Sequence, residues 1–223
     1  MTSEQNAKDP FDQLLEGVAK FTASVFPEKR DQFARLATAQ HPHTLFITCA
    51  DSRIVPEMIT QSAPGDMFVC RNIGNIVPAY GEMMGGVSAI VEYAVVALGV
   101  SHIVICGHSD CGAMKGLLRA DNPTLQKMPT VSSWLRNAEA ARSVVEAVHP
   151  DLDGTPKVQA LVEQNVRLQM QHLLTHPAVA ARAADGSLHL HGWVYDIENG
   201  GVTTLDRVGG DSKSLEVSGT TAP

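Results

Sequence analysis

Short apolar runs of strand length alternate along this chain with segments of helical spacing, and that alternation restricts the fold more than any other feature. Runs at 44–49, 66–71, 102–106, 188–195 and 202–205 have strand length, and that at 102–106 is rich in β-branched residues. Residues 83–98, 111–119, 131–148 and 158–175 have the apolar spacing of helices, and 122–130 reads as a loop. The pattern predicts an α/β fold: a mostly parallel β-sheet of about four parallel strands plus an antiparallel edge strand, flanked by helices. The edge strand is 202–205, reached through the turn Asn199-Gly200-Gly201. The segment 83–98 is apolar almost all round, which predicts a fully buried helix.

Ahead of this pattern, Phe11, Leu14, Leu15, Val18, Phe21 and Val25 recur at helical spacing, and Pro27 interrupts them. This predicts an N-terminal helical arm over 1–40, packed on a partner subunit or folded back on its own core. One α/β catalytic domain follows over 41–209, then a polar C-terminal tail over 210–223.

The chain has 223 residues, 44% apolar and 18% charged, enough for one large core. A net charge of −7 argues against a nucleic-acid partner, because phosphate binding needs a cationic face. The longest apolar stretch is broken by Glu92, Tyr93, Gly99, Ser101 and His102, so no membrane span is expected. The polar start MTSEQNAKDP lacks the pattern of a signal peptide, and a cytoplasmic location is expected. In a reducing compartment Cys49, Cys70, Cys106 and Cys111 read as ligands, catalytic thiols or core fillers rather than disulfides.

Two motifs follow strand-like runs: C-A-D-S-R at 49–53 and C-G-H-S-D-C-G at 106–112. In sheets of this class function gathers at the carboxyl ends of the strands, so the two can face one crevice. Cys49, His108 and Cys111 supply two thiolates and an imidazole, a set that suits zinc and leaves a fourth position for water or substrate. Asp51 has two readings: fourth ligand closing the site, or bidentate partner of Arg53 leaving it open. Cys70 and Cys106 read as buried fillers. His189 and His191 share one face of a late strand and read as solvated edge residues. No GxxxxGK, GxSxG or HExxH pattern occurs.

Taken together, these motifs resemble the β-class carbonic anhydrases. The resemblance is supported by Gln40 in AQHP, by PGDMFVCRNIGN at 64–75 and by GGVSAIVEYAVVALGV at 85–100, and it covers residues 30–206. It implies zinc held by Cys49, His108 and Cys111, with Asp51 a possible further ligand, and attack of zinc-bound hydroxide on carbon dioxide to give bicarbonate and a proton. It implies an Asp51–Arg53 dyad beside the metal. It further implies that Gln40, Phe68, Ile73, Tyr93 and Gly112 serve the substrate, in a pocket shared between two subunits of a homodimer or a dimer of dimers. Regulated members carry a Trp three residues before the first ligand cysteine and a Gly one before it. Phe46 and Thr48 stand there, so the open, unregulated type is expected. Two thiolates reduce the metal's Lewis acidity, so activity is expected to rise into the alkaline range. Three alternatives remain: a hydrolase of sulfur analogues of carbon dioxide, a scaffold whose zinc is closed by Asp51, and a thiol enzyme using Cys49 or Cys111.

Overall fold

The computed structural model describes residues 9–82, 85–119, 123–206 and 213–215. They divide into two compact units, one up to Gln40 and one from His41 onward.

In the first unit α1 (Pro10–Lys20) starts at Asp9, whose side chain accepts the Phe11 N–H at 2.9 Å. Its proline occupies the first turn, where no amide donor is needed. The helix continues through a wider turn at Phe21–Val25 into α2 (Phe26–Glu28), and α3 (Arg30–Leu36) follows. The rings of Phe21, Phe26 and Phe33 pack mutually, with centroids 5.4 to 6.1 Å apart. Phe11, Leu14, Leu15 and Val18 stay exposed.

The second unit is built on one sheet. Its elements run β1 (Thr44–Cys49), α4 (Pro56–Thr60), β2 (Met67–Asn72), α5 (Gly86–Glu92), β3 (His102–His108), α6 (Gly112–Leu118), α7 (Pro123–Gln126), α8 (Pro129–Leu135), α9 (Glu139–Val148), α10 (Gly154–Leu173), α11 (Pro177–Ala184), β4 (His189–Tyr195), β5 (Val202–Leu205) and β6 (Lys213–Ser214). The strand order is β2-β1-β3-β4-β5-β6. The first four are parallel, and β5 and β6 are antiparallel additions.

Every residue of β1 is buried, as expected for a central strand covered on both faces. Leu45, Ile47, Ile103 and Ile105 join the main core, while Phe46, Val104 and Cys106 face the other way with Trp193 and Tyr195. α10 buries Val158, Leu161, Val162, Val166, Met170 and Leu173, a stripe at helical spacing. It crosses the sheet closely at Gly107, where an added Cβ would lie 2.9 Å from Val166 Cγ2 and 3.0 Å from Val162 Cγ1.

Four details differ from the sequence expectation. The helix expected over 83–98 is helical from Gly86, widens at Tyr93–Ala97, and buries one face only; Tyr93 and Val96 are exposed. The helix expected over 131–148 begins at Pro129 and tightens at Arg136–Ala138 before α9. The loop expected over 122–130 contains α7, and α4 and α11 were not anticipated; each of these three begins at a proline. β5 is not the sheet edge, because Thr203 and Thr204 pair with Ser214 and Lys213. Most of the tail expected over 210–223 lies outside the described residues, as do 1–8 of the arm.

Candidate metal centre

β1 and β3 are parallel neighbours, with Thr48 in register with Cys106. The strands therefore deliver Cys49 and His108 to the same end of the sheet. Ser109 and Asp110 then turn the chain, Asp110 in the left-handed region at φ 60°, and Cys111 returns as the residue that precedes α6. The two sulfurs and an imidazole nitrogen all lie within 4.8 Å of one another, and all three residues are buried. No other group of three such ligands occurs among the described residues.

The donor set is prepared for a cation. His108 Nδ1 lies 2.8 Å from the Ser109 carbonyl, which places the ring proton on Nδ1 and leaves Nε2 a lone pair. Nε2 is buried without a hydrogen-bond partner, an orphan that a metal would satisfy. Backbone N–H groups surround the sulfurs: those of Gly74 and Asp51 serve Cys49, those of Met114 and Ala113 serve Cys111. Hydrogen bonding from Cys111 pulls the Cys49 thiol down, against burial, and His108 adds to the effect. Cys111 is pushed up by the same partnership and by burial. Burial lowers His108, but the Cys49 sulfur outweighs it and the net displacement is upward. The residues fit a borderline-soft divalent metal with one position left over.

Asp51 stands beside the trio, its Oδ2 3.9 Å from His108 Nε2. Both of its oxygens are taken by Arg53: Nε donates to Oδ1 at 2.9 Å and Nη2 to Oδ2 at 2.8 Å. The Arg53 N–H donates to Oδ1 at 3.0 Å as well. These bonds hold the Asp51 carboxyl well below the usual carboxylate range and lift Arg53 in turn.

A cavity of about 600 Å³ opens at Cys49 and Asp51, walled by Ile73, Gly112, Leu125 and Val131 among others. Phe68 and Tyr93 are not on that wall; their rings pack together at 5.9 Å. Gln40 is exposed and belongs to the first unit. Cys70 and Cys106 are buried free thiols apart from the trio, and burial pushes Cys106 up to about 12.

Several supporting residues escaped the sequence reading. Arg71 reaches from β2 to donate to the carbonyls of Cys49 at 3.2 Å and Asp51 at 2.6 Å, bracing the loop after β1. On α10, Asn165 Nδ2 donates to the Gly74 carbonyl at 3.0 Å, and Gln169 Oε1 accepts the Val77 N–H at 2.9 Å. Gln169 Nε2 donates to Asn165 Oδ1 at 2.8 Å, joining the two. This ladder fixes the segment that brings an N–H to Cys49. Gly74 sits at φ 77°, and an added Cβ there would lie 3.0 Å from Ala113 Cβ. The ladder's only sequence signal is a polar pair, four residues apart, inside the apolar stripe of α10.

A four-stranded parallel core with appended antiparallel strands, carrying a buried Cys–His–Cys centre at its carboxyl end, defines an α/β protein built to hold a metal. Comparison with known proteins makes the class specific. The carbonic anhydrase family model matches residues 44–202. A carbonic anhydrase of Pseudomonas aeruginosa is 50% identical over 193 residues, covering 86% of each chain. The solved β-carbonic anhydrase CcaA has a TM-score of 0.89 and 45% identity, over 92% of each chain. One of two tetrameric β-carbonic anhydrases from Sordaria macrospora has a TM-score of 0.76 and 30% identity, over 91% of this chain and 98% of that one. The chain belongs to the β-class carbonic anhydrases, and it is an enzyme of the lyase class that hydrates carbon dioxide.

Proposed function

We propose that the reaction is the zinc-dependent, reversible hydration of carbon dioxide to bicarbonate and a proton, with Cys49, His108 and Cys111 as the metal ligands. The observation that carries this is the buried, unpartnered Nε2 of His108, set within 4.8 Å of two thiol sulfurs. Zinc bound there supplies a Lewis acid that makes water nucleophilic near neutral pH.

The chain's own residues do the rest. The Ser109 carbonyl fixes the His108 tautomer, and backbone N–H groups favour the thiolate form of each sulfur that a metal would bind, against the rise that burial and the Cys49 sulfur impose on Cys111. Arg53 keeps Asp51 ionised and acceptor-only, so Asp51 can take a hydrogen bond from the attacking oxygen and turn its lone pair toward substrate. The Arg53 pairing supports an Asp51 that leaves the fourth position open, rather than one that serves as a fourth ligand. Ile73 and the apolar wall suit a small apolar substrate and exclude water. The Gly112 N–H, Gln40, Phe68 and Tyr93 complete the proposed substrate contacts.

We place this pocket between two subunits, in a homodimer or a dimer of dimers. The exposed stripe of Phe11, Leu14, Leu15 and Val18 and the exposed Tyr93 and Val96 support that assembly. The tetrameric Sordaria relatives support it too. The four free thiols support work in the reducing cytoplasm. No described helix is long and apolar enough to cross a membrane.

The test is stopped-flow mixing of zinc-quantified protein with carbon dioxide, following proton release. Fast hydration at full zinc occupancy, lost on chelation and restored by zinc, is the expected result. No hydration at any pH with zinc fully bound refutes the reading, and activity that survives complete metal removal favours a thiol enzyme instead.

A further inference from the structure

Arg53 is gripped from two sides. Its Nε and Nη2 edge carries Asp51. Its remaining terminal nitrogen, Nη1, donates to Asp110 Oδ2 at 3.1 Å, and Nη2 lies 3.5 Å from the Asp110 carbonyl oxygen. The other carboxylate oxygen of Asp110 is held by Lys115 Nζ, one turn into α6. An ordered row results: Lys115, Asp110, Arg53, Asp51. It joins α6 to the loop after β1 and ends beside the metal centre.

The row has a mechanical reason. Arg53 is long, and its side chain is 43% exposed. Held by Asp51 alone, such a guanidinium keeps considerable freedom to swing into solvent. When it swings, the Asp51 carboxylate loses its bidentate partner, and with its Oδ2 3.9 Å from His108 Nε2 it would be free to turn to a cation held by Cys49, His108 and Cys111. A second carboxylate on the opposite edge removes that freedom. Asp110 is well placed for this, because its left-handed backbone conformation, at φ 60°, is one that Asp, Asn and Gly adopt readily. On the side away from Arg53, Asp110 and Lys115 border a cavity shared with Arg119, Glu146, Asp153 and Lys157, so their surroundings mix both signs of charge.

We propose that Asp110, seated by Lys115, is a positioning residue that clamps Arg53 from the side opposite Asp51, so that Asp51 remains on Arg53 and the fourth metal position remains open. This rests on the metal reading given above. The role is indirect, since the Asp110 carboxylate acts through Arg53.

The experiment uses the full-length protein reconstituted with cobalt(II), whose visible bands report the metal's coordination. Thiocyanate is titrated as a probe of the open position, at one fixed pH near neutrality. Asp110→Gly removes the side chain while suiting the backbone, and Asp110→Asn keeps its shape without the charge. Asp110→Gly is expected to hold cobalt stoichiometrically yet bind thiocyanate about two- to fivefold more weakly, the scale of one partly exposed ion pair. Asp110→Asn is expected to fall between it and the parent, and Lys115→Gln to shift in the same direction by less. The sign is diagnostic, because deleting a negative charge near the centre by itself strengthens anion binding. Thiocyanate affinity in Asp110→Gly that matches or exceeds the parent's overturns the clamp. Loss of cobalt from Asp110→Gly overturns it too, since Asp110 would then shape the ligand turn itself. A parent that binds no divalent metal sinks the metal reading, and the clamp with it, whatever the variants do.

Discussion

Replacing Gln169 with Leu tests whether the polar ladder on α10 supports the centre. Gln169 is fully buried and makes two hydrogen bonds, to the Val77 N–H and to Asn165 Oδ1. Leu is close in volume, so no large cavity forms, but both partners are left in a dry environment. Each orphaned group costs about 1–3 kcal/mol, so the pair costs about 2–6 kcal/mol. The apolar replacement recovers about 1–2 kcal/mol by burial. At the centre of these ranges the net is a destabilisation of about 2.5 kcal/mol, read as a shift in urea midpoint at fixed protein concentration. For a chain of this size the melting temperature falls by roughly 5–10 °C. The loss extends to function, because Asn165 is then free to release Gly74, whose N–H serves the Cys49 sulfur. Zinc affinity therefore falls with stability. A Gln169→Leu protein within about 0.5 kcal/mol of the parent and with unchanged zinc affinity refutes the reasoning, because it would mean that water replaces the ladder without cost.

Three further outcomes are expected. Hydration activity rises between about pH 6.5 and 9, because two thiolates leave zinc a weaker Lewis acid than three imidazoles do; a flat profile over that span contradicts this. Cys111→Ser lowers zinc affinity at least about tenfold, with a parallel fall in hydration rate, measured by competition with a chelator; zinc retained at parental affinity removes Cys111 from the ligand set. Arg53 holds the Asp51 carboxyl below its ordinary value, so the stabilisation is complete above the unfolded value of about 4 and is lost only as pH falls through the lower folded value. The Asp51 carboxylate infrared band therefore persists in the metal-free protein to about pH 3, below the midpoint of a free aspartate, and its loss already near pH 4 would show that Arg53 does not hold it.

Much of this was legible in the residues, for local reasons. A short apolar run such as 44–49, ahead of a second like it, reads as a buried strand, and it matches β1 residue for residue. The ligand spacing His108-x-x-Cys111 follows from a strand giving way to a helix, which is what the chain does there. What was illegible depends on distance along the chain. Asn165 and Gln169 meet Gly74 and Val77 across some ninety residues, and a polar pair inside an apolar helix does not name its partner. Arg71 likewise braces two carbonyls of a neighbouring loop from some twenty residues away. The helices starting at Pro56, Pro123 and Pro177 had a signal that was available and underweighted, a proline that opens a helix rather than breaking one. The exposure of Tyr93 and Val96 could not be read from a segment apolar all round, because hydrophobicity does not say which face stays open.

The register of β1 has a consequence for how this gene can change. Cys49 reaches the centre only because Thr44 through Cys49 lie opposite Met67 through Asn72 on one side, while Thr44 through Thr48 lie opposite His102 through Cys106 on the other. Alternation of faces is strict, so a single codon lost or gained at the start of β1, ahead of Phe46, would present Thr48 or Ala50 in place of the thiol and turn the Phe46 ring to the opposite face. The same holds between His108 and Cys111, where one extra residue would carry the second sulfur around the helix. Length changes are thus barred from both segments, and lineages of this chain can vary in length at the solvent-exposed turn around Asn199–Gly201 far more freely than at the ends of β1 and β3.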